Sequence, residues 1–183
     1  MSICLNNEEK QLLLKIARDS ISEYLMNGKT RKYNEIMLPP SLLQKAGAFV
    51  TYHRKGELRG CVGRFNSDRP LYIIVQNISI TSATKDNRFK AIKREELPEL
   101  NIEISVLSPL HQIFSKDEFD PDQHGIYIKK DGRIGTYLPQ VAKSTGWTKE
   151  ELLGHCARDK AGLHWNDWKE AKLFIYTAQV FRE

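Results

Sequence analysis

At 183 residues the chain has the size of one ordinary domain, and a chain of about 150 residues already buries roughly 68–70% of its unfolded surface. A hydrophobic fraction of 40%, a charged fraction of 28%, 11 Gly and 7 Pro exclude a fibrous or disordered chain and fit a globular one. Three cysteines, Cys4, Cys61 and Cys156, odd in number and far apart, exclude a disulfide framework and fit a reducing compartment.

The net charge of +5 and the pI near 9.0 permit attraction to anionic partners. The basic residues are scattered, with Lys29, Arg31 and Lys32 in one place and Lys90, Lys93 and Arg94 in another. A solvated surface is therefore the expectation, and a nucleic-acid-binding module is the lesser alternative, motivated by the pI alone. The longest apolar run, Leu71 to Val75, falls far below the roughly 18 residues of a membrane span. The stretch from Met1 to Glu9 lacks the basic and apolar regions of a secretory signal. A soluble, cytoplasmic protein with no membrane association is the expectation.

In chain order, Leu13, Ile16, Ala17, Ile21, Tyr24 and Leu25 recur at helical spacing and predict a helix from about Asn7 to Met26. Asn6 with Glu9 resembles a capping box, and Asn27-Gly28 supplies the stop. Lys29 to Pro40 reads as a loop, and Pro39-Pro40 before Ser41 to Lys45 allows one or two helical turns. Gly47 to Arg54 and Glu57 to Val62 read as strands joined by the two-residue turn Lys55-Gly56. After a turn at Asn66-Ser67-Asp68-Arg69, Pro70 suits a first helical position and Leu71, Ile74, Val75, Ile78 and Ser82 keep a helical period. Its β-branched content also suits a short buried strand over Tyr72 to Val75. Asp86-Asn87-Arg88-Phe89 ends that segment.

Leu100 to Leu107 alternates cleanly, with Leu100, Ile102, Ile104 and Val106 on one face and Asn101, Glu103 and Ser105 on the other. Gly125 to Lys130, Asp131-Gly132 and Arg133 to Leu138 predict a type I′ hairpin. A helical region follows from Pro139 to Lys160, interrupted near Gly146, with a capping box at Thr148 and Glu151 and a stop at Gly162. One long strand from Lys172 to Phe181 closes the pattern. Hairpin, helix and strand thus occur in that order twice, which raises a duplication as a hypothesis. The fold class expected is α+β, a mainly antiparallel sheet with flanking helices, in one domain over 1–183 that the repeat allows to form two lobes.

The chemistry concentrates in Glu57-Leu58-Arg59-Gly60-Cys61-Val62-Gly63. Pairing Arg54 with Glu57 places Tyr52 opposite Arg59, Val50 opposite Cys61 and Ala48 opposite Gly63, all on one face. His53 pairs with Leu58 on the other face, which removes His53 as a base for Cys61. A nucleophilic cysteine needs a thiolate stabilised by a nearby cation, a helix N-terminus or a metal. Arg59, two residues earlier on the strand, lies about 7 Å away on the same side. Gly60 and Gly63 carry no side chain to block a ligand. The competing account is structural: a free cysteine is often a small buried hydrophobe, and strand glycines often mark bulges.

The segment Leu58-Arg59-Gly60-Cys61-Val62-Gly63 resembles the signature of the AMMECR family. Asp86-Asn87-Arg88-Phe89, Leu97 to Leu107, Gly125-Ile126, Leu138-Pro139-Gln140-Val141-Ala142, Gly146-Trp147 and Lys160-Ala161-Gly162-Leu163 extend the resemblance over most of the chain. Departures are mild: Val62 where isoleucine is common, and Asn87 where proline or serine is often found. The short length resembles the prokaryotic members called AmmeMemoRadiSam system protein A. That resemblance implies a compact α+β fold and Memo-like and radical-SAM partners, with no reaction or cofactor to transfer.

Two roles then compete for one site. In the first, the chain is a small-molecule-binding or thiol-dependent enzymatic subunit, with Cys61 as catalytic candidate and Arg59, Gly60, Gly63, Asp86 and Arg88 as ligand-binding candidates. In the second it is a non-enzymatic adaptor, and the same segment is a docking surface. Asp86 and Arg88 equally suit a local ion pair, Glu103 and Ser105 a solvated sheet face, and His124 surface decoration. His155, Cys156 and His164 lack the paired spacing of a structural zinc site, so no metal is expected. Trp147, Trp165 and Trp168 are expected to pack a core rather than stack bases.

Overall fold

The computed structural model describes residues 3–65 and 68–183. Met1 and Ser2, and Asn66 and Ser67 of the expected turn, lie outside the described residues. The fold is α+β, with two four-stranded sheets and flanking helices. The chain divides into two compact units, Met1–Leu107 with Gln179–Glu183, and Ser108–Ala178.

The first unit opens on α1 (Asn7–Asn27). The Asn6 side chain accepts from the Glu9 N–H at 2.9 Å, and the Glu9 carboxylate accepts from the Asn6 N–H at 2.8 Å, so the capping box satisfies two otherwise orphaned donors. Gly28 ends the helix at φ 66, a left-handed conformation that glycine adopts without steric penalty. After the short helix α2 (Pro40–Leu43) come strands β1 (Ala48–Arg54) and β2 (Glu57–Arg64). Lys55 and Gly56 at φ 55 and 84 make the tight turn between them.

Helix α3 (Leu71–Thr84) follows Pro70, which caps the helix instead of entering it. Leu71, Ile74, Val75, Ile78 and Ser82 are all buried, so the helical period outweighs the β-branched preference. Strand β3 (Leu100–Leu107) has the expected bounds, with Leu100, Ile102, Ile104 and Val106 in the core. The first sheet runs β2-β1-β3-β8, where β8 is Ala178–Arg182. Its apolar face, with Ala48, Val50 and Tyr52 fully buried, joins the core that α1 and α3 cover.

The second unit contains β4 (His111–Ile113), β5 (Gly125–Lys130), β6 (Arg133–Tyr137), α4 (Pro139–Thr145), α5 (Lys149–His155) and β7 (Lys172–Tyr176). Asp131 and Gly132 turn the β5–β6 hairpin at φ 50 and 77. Gly146 interrupts the helical region at φ 67, and Thr148 with Glu151 restarts it as a capping box. A π-helical turn, Cys156–Lys160, extends α5. Ile113, Ile126, Ile128, Leu173 and Ile175 face the core together with Leu152, Leu153 and Cys156.

The sheet order here is β4-β7-β5-β6. In each unit a hairpin is followed by helix and then by a strand that pairs with the hairpin's first member, and a fourth strand flanks that one. The expected single strand from Lys172 to Phe181 is instead two strands in different sheets, parted at Thr177.

Candidate functional site

The β1–β2 register begins as expected, with Arg54 opposite Glu57 and His53 opposite Leu58. It then shifts: Tyr52 faces Gly60, so Arg59 is an extra residue on β2, a β-bulge. Beyond the bulge each residue of β2 is displaced by one, and a displacement of one moves a side chain to the other face. Cys61 therefore stands opposite Thr51, not Val50, and Gly63 opposite Phe49, not Ala48. The expectation that Cys61 shares a face with Val50 and Tyr52 is overturned. Cys61 lies on the face of Thr51 and His53, so the reason for setting His53 aside fails with it.

A bulge survives where the surroundings favour it, and the neighbours of Arg59 supply the reason. Its guanidinium forks onto Glu96, with Nε 2.9 Å from Oε2 and Nη2 3.0 Å from Oε1, and Nη1 donates to the Lys90 carbonyl at 2.8 Å. Both side chains are mostly buried, and Arg59 holds the Glu96 carboxyl below its ordinary pKa. On the next residue, a Cβ on Gly60 would collide with the Ser82 carbonyl oxygen. Glycine is needed there because α3 rests on the backbone of β2. A Cβ on Gly63 would enter the Phe49 ring.

Ser82 enters the ladder itself. Its hydroxyl accepts from the Val62 N–H at 2.7 Å and donates to the Val50 carbonyl at 2.7 Å, linking the two strands from the core side. On the outer edge, the Asp86 carboxylate accepts from the Cys61 N–H at 2.9 Å, and Arg88 Nη2 donates to the Cys61 carbonyl at 3.0 Å. Arg88 also binds Asp86 at 2.7 Å. Together the pair satisfies the exposed donor and acceptor of an edge strand as a further strand would. The Arg88 guanidinium holds the Asp86 carboxyl at a pKa of about 2.

The Cys61 thiol is half-buried. Burial pushes its pKa up from the ordinary 9.0, while the Thr51 hydroxyl, 3.2 Å from Sγ, and the Arg88 charge pull it down. Burial is the larger effect. The cation acting on the thiol is Arg88, and Arg59 is committed to Glu96.

The same sheet face continues onto β3, where Glu103 lies opposite Thr51 and Asn101 opposite His53. One cross-strand row is Cys61, Thr51, Glu103, and the neighbouring row is Leu58, His53, Asn101. At the second row opens a groove of about 620 Å³, whose lining includes His53, Asn101, Glu103 and Arg182. Arg59, Gly60, Cys61, Gly63, Asp86 and Arg88 do not line it. Glu99 and Glu183 do, but Glu99 is held by Arg54 and Lys55, and Glu183 by Arg18 and the Ile102 N–H. Among the described residues, the side chains of His53, Asn101, Glu103 and Arg182 have no hydrogen-bond or ion-pair partner.

Ser105 is buried and so is not part of a solvated face. His124 lies in the second unit, where its Nδ1 accepts from the Asp120 N–H at 3.2 Å. His155 stacks on Trp147 at 3.7 Å between ring centres and binds Asp159, whereas Cys156 is fully buried and its thiol is pushed up to about 12. Among the described residues no cluster of three His, Cys, Asp or Glu side chains is arranged to hold a metal ion. Trp147 and Trp168 pack on the second core, and Trp165 lies against Gly154.

Sequence reasoning missed Ser82, Thr51 and Arg182 as groups that shape or line this face. Ser82 has no local signature, because its partners are 20 and 32 residues away.

The family model described as AMMECR1 matches residues 14–181. A protein of Methanothermobacter thermautotrophicus is 34% identical, covering 98% of this chain and 96% of its own length. Protein PH0010 of Pyrococcus horikoshii is 35% identical, with 98% and 92% covered. The crystal structure titled as uncharacterized protein PH0010 superposes with a TM-score of 0.91, covering 98% of this chain and 93% of that one.

Proposed function

The chain belongs to the AMMECR1 family, and on that premise we propose that it is a small-molecule-binding subunit whose ligand lies on the polar face of the first sheet. The observation that carries this reading is the groove of about 620 Å³, into which His53, Asn101, Glu103 and Arg182 converge without partners of their own. Its size falls in the ~300–1,000 Å³ range of metabolite sites. A carboxylate, a guanidinium, an imidazole and an amide in one groove suit a polar ligand that carries both an anionic group and hydrogen-bond donors.

In this reading Arg59, Gly60, Gly63, Asp86 and Arg88 position the face instead of touching the ligand. Gly60 lets α3 rest on β2, Arg59, Asp86 and Arg88 tie β2 to the 86–96 segment, and Gly63 leaves room for the Phe49 ring of β1. Cys61 is a neutral thiol at the head of the row that leads to Glu103. A thiol-dependent reaction has one observation in its favour, the shared face of Cys61 and His53. The raised thiol pKa opposes it. Memo-like and radical-SAM partners rest on the family resemblance, and a pull-down with each, repeated with Arg59→Ala, separates a docking role for the signature from a positioning one.

The test is a thermal-shift screen of metabolite mixtures against the wild type, Glu103→Gln and Arg182→Ala. A stabilising ligand whose shift disappears in both variants supports the groove. A ligand whose shift survives in both overturns it. Rapid alkylation of Cys61 at neutral pH, with loss of ligand turnover in Cys61→Ser, would establish the thiol-dependent reaction instead.

A further inference from the structure

The outward face of the second sheet carries a pattern that the scattered sequence positions concealed. Strand register sets Lys129 directly opposite Lys172, and Phe174 opposite both Gln112 and Tyr127. Adjacent like charges on a sheet repel each other, and neither lysine makes an ion pair among the described residues. Phe174 and Tyr127 meet edge to face at 5.8 Å. Just past β4, Phe114 is 89% exposed, a large apolar surface left in water.

Two shallow grooves run over this face. One, of about 240 Å³, includes Phe114, Lys116 and Lys169 in its lining; the other, of about 360 Å³, includes Lys129, Lys130 and Phe174. Gln112, Glu170 and Lys172 line both, so the two form one continuous track. Its lining carries five lysines, Lys172 with the four just named, against the two carboxylates Glu170 and Asp131. Lys130 is bound to Glu170 at 3.0 Å and to Asp167 at 3.3 Å, and Lys116 to Glu150, which leaves Lys129, Lys169 and Lys172 as the lysines of the track that no carboxylate holds among the described residues. The track is therefore cationic, with aromatic rings set among the ammonium groups.

We propose that this track binds single-stranded nucleic acid, with Lys129 and Lys172 on phosphates and the rings of Phe114 and Phe174 under bases. An ammonium pair attracts any anion, but aromatic faces beside it select an anion joined to a planar ring. An open track longer than one groove suits an extended strand better than a lone nucleotide, because successive units each find a ring and a charge. An exposed sheet surface matches the way single strands are splayed and stacked on proteins. A duplex hides its base faces and gives Phe114 and Phe174 nothing to stack on.

Fluorescence anisotropy with a labelled 15-nucleotide oligouridylate tests this on the full chain. The expected result is salt-sensitive binding that Lys129→Glu with Lys172→Glu weakens by at least about tenfold, with a shallower dependence on salt concentration. Phe114→Ala with Phe174→Ala weakens binding by about tenfold and leaves the salt dependence unchanged, since stacking releases no counterions. Heparin, an acidic peptide and a duplex serve as competitors, each expected to displace the oligonucleotide poorly. The proposal is overturned by absence of binding at low salt, by equal affinity in the lysine variant, or by competition from heparin or an acidic peptide as effective as that from unlabelled oligonucleotide. Circular dichroism of each variant, expected to match the wild type, assigns the losses to the surface.

Discussion

Thr51 Oγ1 lies 3.2 Å from Cys61 Sγ, and this hydroxyl is the strongest influence that favours the thiolate against burial. Removing it with Thr51→Val raises the thiol pKa further. Iodoacetamide labelling followed by mass spectrometry, with the exposed Cys4 as internal reference, measures the effect. Cys61 is expected to react more slowly than Cys4 between pH 7 and 9, and the lag to grow several-fold in Thr51→Val. Faster labelling of Cys61 than of Cys4 at pH 7 would show an activated thiol.

Asp86 gives the acid side of the stability curve a definite shape. Its carboxyl titrates at about 2 in the folded chain against an ordinary 3.8, so the folded state favours the ionised form. A depressed carboxyl stabilises the fold fully above the unfolded value and loses that contribution as pH falls through the folded one. At neutral pH the contribution is about 2 kcal/mol. Urea unfolding should find Asp86→Asn weaker by roughly that amount at pH 7, with the gap from wild type closing between pH 4 and 2.

Gly60→Ala places a methyl group against the Ser82 carbonyl, and the backbone of α3 cannot yield as a flexible side chain would. A loss of about 1–3 kcal/mol is expected. Ser82→Ala leaves the Val62 N–H and Val50 carbonyl without their bridging hydroxyl, again about 1–3 kcal/mol. Because both changes act at one contact between α3 and β2, their effects in the double variant should fall short of the sum. Equilibrium denaturation of the three variants decides this, and full additivity would mean that the two sites are independent.

For Arg59 and Glu96 a double-mutant cycle is the informative measurement. Exposed ion pairs contribute about 0.2–1 kcal/mol, whereas this forked pair is largely shielded. A coupling energy above about 1 kcal/mol is expected, and Arg59→Lys should recover little of it, since an ammonium cannot make the two parallel bonds. Coupling near zero would remove the ion pair as the anchor of the bulge.

Much of the fold was written in local signals. The Asn6–Glu9 capping box, the Asp131-Gly132 turn and the alternation from Leu100 to Leu107 each depend on residues a few positions apart, and all three form as read. The bulge at Arg59 was not legible, because alternation along β2 is equally regular with or without an extra residue. What fixes it is the reach to Glu96, 37 residues away, and the fit of Gly60 under α3. The break at Thr177 was hidden for a related reason: two strands laid end to end read as one until their partners are known. The signature stretch was recognisable as special from its residues, whereas the groove beside it is lined by His53, Asn101, Glu103 and Arg182, which no local motif marks.

Gln179–Arg182 of strand β8 follow the whole of the second unit, Ser108–Ala178, in the order of synthesis. The first unit therefore leaves the ribosome with one edge of its sheet open and stays so while some seventy further residues emerge. Only then do Gln179–Glu183 arrive to cover β3 and Glu183 to meet Arg18. The second unit, continuous in sequence, has no such wait, so the order of translation is the reverse of the order in which the two units can be completed.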